Sequence, residues 1–303
     1  MDYEIVAEGL RFPEGPIWME DGSVIVVEIE AGRLTRVLPD GSKETVAELG
    51  GGPNGAAIGP DGRVYVCNNG GFAWTEHDGL LFPGRQPAGY SGGRIEVVDL
   101  ETGRIERLYD NCDGIPLKGP NDLVFDDQGG FYFTDCGKSR EHEVDVGGVF
   151  YARADGSSIR ALARGLLRPN GCGLSPDGRT LYVALTSERV VLAFDLTGAG
   201  EAAPAWPAPG RVVASFPGRQ WLDSLAVTAD GRVCVAALVE NHGIASIDPA
   251  TGAVEHFAFP DVITTNICFG GADMRDAWIT LSTTGKLVRT RWERPGLRLA
   301  HYA

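Results

Sequence analysis

The sequence contains no apolar run approaching the twenty or so residues of a membrane-spanning helix, so no span is expected. Its start, Met1-Asp2-Tyr3-Glu4-Ile5, has neither the basic stretch nor the apolar core of a secretory leader. The six cysteines, at 67, 112, 136, 172, 234 and 268, form no C-x-x-C pair. Most sit within apolar strand patterns, which points to reduced, buried thiols in a cytoplasmic protein. Basic charge is in deficit: 27 Lys and Arg stand against 41 Asp and Glu, a formal charge of −14. That balance argues against nucleic acid and against an anionic membrane as partner. No phosphate-binding loop, EF-hand loop or H-E-x-x-H occurs. Gly89-Tyr90-Ser91-Gly92-Gly93 has the letters of a nucleophile elbow, but a strand (Ile95-Glu96-Val97-Val98) follows where the elbow requires a helix.

What the chain does have is glycine, proline and a repeat. Forty-two Gly and eighteen Pro, without low-complexity runs, suit many short strands joined by tight turns. A polar residue, a short apolar strand and a turn seven positions on recur six times. The pairs are Glu14 and Asp21, Asn54 and Asp61, Asn121 and Gln128, Asn170 and Asp177, Asp223 and Asp230, Asn266 and Asp273. A period of roughly 40–67 residues with a strand pair in each unit is the mark of a radial repeat.

Between Glu14 and Asn54 four strands can be counted, which is one propeller blade. The same count fits the later units except the sixth, where a fourth strand is missing after Lys286 to Thr290. Tyr3 to Ala7 precedes Glu14 as Glu44 to Ala47 precedes Asn54, so it is placed as the outer strand of the last blade. Leu297 to Ala300 could pack outside it or compete for that place. The expected fold is all-β: one domain over residues 1–303, a six-bladed β-propeller with four-stranded antiparallel blades, closed by its N-terminal strand.

Strand direction then fixes what shares an end. The six polar residues begin the innermost strands and ring one mouth of the central channel; the Asp-Gly turns lie at the other. Each second strand returns to the ringed mouth, and the two longest loops land there. One, Gly70 to Gly92, carries Phe72, Trp74, His77, Phe82, Arg85 and Tyr90; the other, Gly137 to Val146, carries Lys138, Arg140, Glu141, His142 and Glu143. Long loops on a rigid scaffold commonly form pocket walls, although the aromatics of the first could equally pack down as a satellite core. Glu14 and Asp223, in a ring otherwise of Asn, offer oxygen ligands suited to one divalent metal ion: Ca, Mg, Mn, Fe(II) or Zn. Asn54-Gly55 and Asn170-Gly171 are also good turn dipeptides, so either Asn could serve backbone geometry instead.

Phe12-Pro13-Glu14-Gly15-Pro16-Ile17-Trp18, Pro120-Asn121-Asp122-Leu123, Pro169-Asn170-Gly171, Leu222-Asp223-Ser224 and Thr264-Thr265-Asn266-Ile267-Cys268-Phe269-Gly270-Gly271 together resemble the SMP-30/gluconolactonase/luciferin-regenerating-enzyme-like family. The resemblance implies a metal-dependent hydrolase that opens a small-molecule lactone to the hydroxy acid. By position it makes Glu14, Asn170 and Asp223 the metal ligands, Asp223 also the candidate catalytic base, and Asn121 a contact of the metal's outer ligands or of the substrate. Sugar-lactone members often carry Arg two positions before Asn121; here Gly119 stands there, with Lys118, Lys138 or Arg140 as substitutes. Asn54, Asn266, Glu141, His142 and Trp74 complete the expected substrate-binding set. The rival expectations are an esterase or phosphotriesterase on the same site, and a non-catalytic calcium-binding propeller.

Overall fold

The computed structural model describes residues 2–301. Six antiparallel blades of four strands stand around an axis, the fourth carrying in addition the short strand Glu201–Ala202. The first runs Pro13–Trp18, Val24–Glu28, Arg33–Val37, Lys43–Glu48 from the axis outward. In the other five the innermost strands are Pro53–Ile58, Pro120–Phe125, Pro169–Leu174, Gln220–Val227 and Thr264–Gly270. Glu4–Ala7 pairs antiparallel with Lys286–Arg291 and supplies the fourth strand of the last blade, as the repeat predicts. The closure joins the two ends of the ring and covers an otherwise open sheet edge. Among the described residues no helix is long and apolar enough to cross a membrane.

The second strand of each blade explains why the sheets stack. Val24–Glu28, Val64–Asn68, Gly130–Asp135 and Asp276–Leu281 are buried on almost every residue, because both of their faces meet neighbouring blades. Such strands read as continuous apolar runs rather than alternating ones. Outer strands such as Lys43–Glu48 and Val254–Ala258 are mostly exposed and carry the charge. The turns at the far end take positive φ at Gly22, Gly62, Gly129, Gly178 and Gly231; in the last blade Met274 adopts φ 57° at the corresponding place.

The C-terminal segment does neither thing expected of it. Gly296 bridges to Thr228, and the Leu297 N–H donates to the Val227 carbonyl. Leu297, Leu299 and His301 then lie over a small cavity of about 100 Å³ lined by inner strands of every blade, among them Ile17, Ile58 and Phe125. The segment therefore closes the turn end of the channel.

Inner strands meet closely around the axis. A Cβ on Gly171 would lie 2.5 Å from the Leu225 nitrogen and 2.7 Å from the Asp223 carbonyl; on Gly55 it would lie 2.5 Å from the Asn121 carbonyl. These are backbone atoms that cannot swing aside. Gly171→Ala should cost at least about 2 kcal/mol, read as a fall of several degrees in melting temperature by calorimetry. Gly198→Ala, whose added carbon meets nothing nearer than the Glu201 carboxylate at 3.5 Å, should leave it nearly unchanged.

Candidate functional site

The ring is aimed by a repeated irregularity. In all six blades the register between first and second strand shifts at or beside the polar position, between Glu14 and Ile17, Pro53 and Ala56, Pro120 and Leu123, Pro169 and Cys172, Leu222 and Leu225, and Thr264 and Asn266. A bulge turns a side chain out of the pleat, and six of them point six side chains toward one axis.

Hydrogen bonding divides the four asparagines into two kinds. Asn54 Oδ1 accepts from Asn69 Nδ2 at 3.2 Å while its own amide donates to the Asn121 carbonyl at 3.2 Å. Asn266 donates to Glu14 Oε2 at 2.6 Å, and its Oδ1 accepts the Ile267 N–H at 2.8 Å. Both are committed to positioning. Asn121 Oδ1 and Asn170 Oδ1 are instead buried with no hydrogen-bond partner among the described residues. Asn170 is held through its other end, Nδ2 donating to Thr186 Oγ1 at 3.2 Å. Buried oxygens that accept nothing are costly unless something electropositive meets them.

The carboxylates make the same demand. Glu14 is 1% exposed, and its pKa is raised well above the ordinary value by burial and then by the Asp223 charge. Asp223 is partly open to the cavity yet surrounded by protein; burial raises its carboxyl to about 7, against the opposing pull of the Asn170 amide and Arg168. Asp122, which sequence reasoning passed over, lies one position after Asn121, where Gly15, Gly55 and Gly171 stand in other blades. Its carboxylate accepts the N–H groups of Leu123 and Cys172, and burial raises it to about 7 as well. A cation would relieve this like-charge crowding. Two carboxylates and two unpartnered amide oxygens are hard donors, which fit a divalent ion of the calcium, magnesium or manganese kind and also accommodate zinc. Among the described residues there is no cluster of three or more His, Cys, Asp or Glu side chains that could hold a metal, so any ion here would depend on the amides.

Above the ring opens a cavity of about 630 Å³, a volume suited to a small molecule. Glu14, Asn54, Asn121, Asn170 and Asp223 line it, and so do Lys138, Arg85 and Arg168. Asn266 lies deeper, on the channel side of the ring. Lys138 is buried, donates to Asn69 Oδ1 at 2.9 Å and to the Gly71 carbonyl at 2.8 Å, and sits 4.0 Å above the Phe72 ring. Burial lowers its pKa to about 7. Cys136 also lines the cavity, but burial pushes its thiol up to about 12 and its Sγ donates to the Pro169 carbonyl, so it is no nucleophile at neutral pH.

The other expected contacts lie elsewhere. Arg140 is tied to Asp145 and Glu143 within its own loop and does not face the cavity. Glu141 and His142 are exposed, beside one another at 3.9 Å. Trp74 packs edge-on to Phe72 and against Phe12, behind the cavity wall. Lys118 is exposed and outside the lining. The loop 70–92 does reach over the mouth: its hairpin Trp74–His77 with Leu80–Pro83 bonds through the Leu81 N–H to Thr283, and Phe82 to Arg85 form wall. Gly119 has no room for a side chain, since a Cβ would lie 2.5 Å from the Gly137 carbonyl. Arg168 holds the matching position in the next blade, two residues before Asn170, and takes φ 52°. Counting back two from each polar residue would have found it.

Comparison with known proteins agrees with this architecture. The model of the SMP-30/Gluconolactonase/LRE-like region matches residues 12–283. A gluconolactonase of Zymomonas mobilis is 29% identical over 202 residues, covering 60% of this chain and 51% of its own. Lactonase drp35 of Staphylococcus saprophyticus is 31% identical over 239 residues, covering 77% and 65%. The chain thus spans about half the length of the first and just under two thirds of the second. Among solved structures, a gluconolactonase from Xanthomonas campestris aligns with a TM-score of 0.74 at 23% identity, over 96% of this chain and 88% of that one. Regucalcin, a calcium-binding protein from Agrobacterium tumefaciens, aligns with a TM-score of 0.75 at 18% identity over 98% of both. At these identities the structural likeness speaks for the fold.

Proposed function

The chain belongs to the SMP-30/gluconolactonase/LRE-like family, and on that premise we propose that it is a metal-dependent lactonase, working at the ringed mouth of the propeller. The observation that carries the metal is the pair of unpartnered buried oxygens, Asn121 Oδ1 and Asn170 Oδ1, beside Glu14 and Asp223. Lactone opening is supported by the relatives named for that activity. Glu14, Asn170 and Asp223 would hold the ion, which supplies charge to polarise the lactone carbonyl and to acidify water. The six free thiols support a cytoplasmic setting.

The chain's own residues divide the rest of the work. Ionised Asp223 takes a proton from the attacking water as the new C–O bond forms at the lactone carbon. The ring C–O bond then breaks, and the same carboxyl returns the proton to the departing alkoxide oxygen. Asn266 and Ser224 fix Glu14, with 2.6 Å and 3.5 Å contacts. Asn54, held by Asn69 and through it by Lys138, keeps the third wall of the ring in place. Asn121 contacts the bound lactone.

A pH-indicator assay with each divalent metal restored tests this directly. Lactones should be opened with kcat/KM at least about a hundredfold above aryl esters and phosphotriesters. Absence of lactone turnover with every metal would leave a calcium-binding propeller as the better account.

A further inference from the structure

The cavity wall carries two arginines that no side chain among the described residues pairs with. Its charged lining consists of Glu14 and Asp223 at the floor and Arg85, Lys138 and Arg168. The two carboxylates are the ones assigned to an ion. Arg85 and Arg168 are exposed and make no side-chain hydrogen bond or ion pair with the described residues. Four arginines at this end are paired, Arg11 with Glu30, Arg33 with Glu28, Arg94 with Glu96 and Arg140 with Asp145, but only Arg85 and Arg168 line the cavity as guanidinium groups.

Arg168 is also placed at a cost. Its φ of 52° is the left-handed region that a non-glycine residue occupies reluctantly. It stands on the rim, two residues before the ring, where the neighbouring blades present Gly119 and Trp221. Its charge reaches the floor, stabilising ionised Asp223 and disfavouring protonated Lys138.

Resting on the lactonase reading, we propose that the substrate is a lactone bearing an anionic substituent, a carboxylate or a phosphate, gripped by Arg168 with Arg85 while its carbonyl lies at the ring. Guanidinium groups bind either anion through paired, charge-assisted hydrogen bonds. The separation of basic rim from acidic floor orients such a molecule, anion outward and carbonyl inward. Trp221 and Phe82, both in the lining, cover the apolar edges between them.

Three probes decide it with the metal-loaded protein: glucono-1,5-lactone, its 6-phosphate, and the 1,4-lactone of glucaric acid. The unmodified protein should open at least one anionic probe with kcat/KM tenfold or more above the neutral one, and whichever anion wins names the substituent. Arg168→Ala should lower that value about 10- to 100-fold, mostly through KM, with a loss on the neutral lactone at least several-fold smaller. Arg168→Lys should recover part of it, and added salt should raise KM for the anionic probe selectively. Equal or better turnover of the neutral lactone, or an equal loss on all three probes in Arg168→Ala, would overturn the proposal and leave the lactonase reading standing. Failure to open any of the three would bring down both.

Discussion

Asp223→Asn should lower lactone kcat/KM by about a thousandfold or more, and at the same time make the metal-free protein more stable at pH 8. The two effects share one cause. Asp223 is asked to be a charged ligand and to move a proton, whereas an amide ligates without charge and takes up no proton; loss of a general base alone costs about 10²–10⁴-fold. In the metal-free fold the same carboxylate is a liability, because burial lifts it to about 7 beside a Glu14 that is itself raised by burial and by the Asp223 charge. The sign follows from the raised pKa. The neutral carboxyl stabilises the fold fully below the unfolded value near 3.8, and that contribution fades as pH climbs through about 7. Above that range the chain must hold a buried charge next to another. Replacing it with an amide of the same shape should gain about 1–2 kcal/mol at pH 8, or a few degrees in melting temperature measured with a chelator present. At pH 5 the gain should shrink towards zero. Retention of more than a tenth of the activity would remove Asp223 from the chemistry.

The second large effect is proton-coupled ion binding. Asp223, lifted to about 7, is largely protonated in the metal-free protein at pH 6, and Glu14, raised well above the ordinary carboxyl range by burial and by Asp223, resists ionisation too; both must be deprotonated to act as ligands. Apparent affinity for a divalent cation should therefore fall at least about tenfold between pH 8 and pH 6. Titration calorimetry in buffers of different ionisation enthalpy should record release of about one to two protons per ion at pH 6, and fewer at pH 8. An affinity independent of pH, with no protons released, would mean that the ion is held elsewhere. Adding the ion should also raise the melting temperature more at pH 8 than at pH 5, since it neutralises the repulsion that appears as pH rises.

Much of this was open to inspection in the sequence because a propeller repeats its geometry. Equal spacing from polar residue to turn placed all six ring members, and antiparallel order placed their common mouth. What escaped was what repetition does not encode. The roles of Asn54 and Asn266 depend on contacts with Asn69 and Glu14 from distant parts of the chain. Leu297 and Leu299 read as a strand by alternation, but their apolar side chains find the open end of the channel before any sheet edge. Of the side chains expected from the loop 137–146, Lys138 lines the cavity and Arg140, Glu141 and His142 do not. Arg140 has acidic neighbours three and five residues on, and local pairing of that kind takes a side chain out of service. Trp74 is apolar enough to seek Phe12 and Phe72 rather than the cavity. Arg168 could have been found, since its place two before a ring residue is the same place that draws notice to Gly119.

The account depends most on whether Glu14, Asn170 and Asp223 at one mouth hold an ion that the reaction needs. Metal content by elemental analysis, run together with lactone turnover on the original chain, Glu14→Gln and Asn170→Ala, tests this most directly. One divalent ion per chain should be found in the original protein, stripped by chelation with loss of turnover and restored with it, and both variants should lose ion and activity together. Full lactone turnover by the stripped protein, or by a variant that binds no ion, would contradict it.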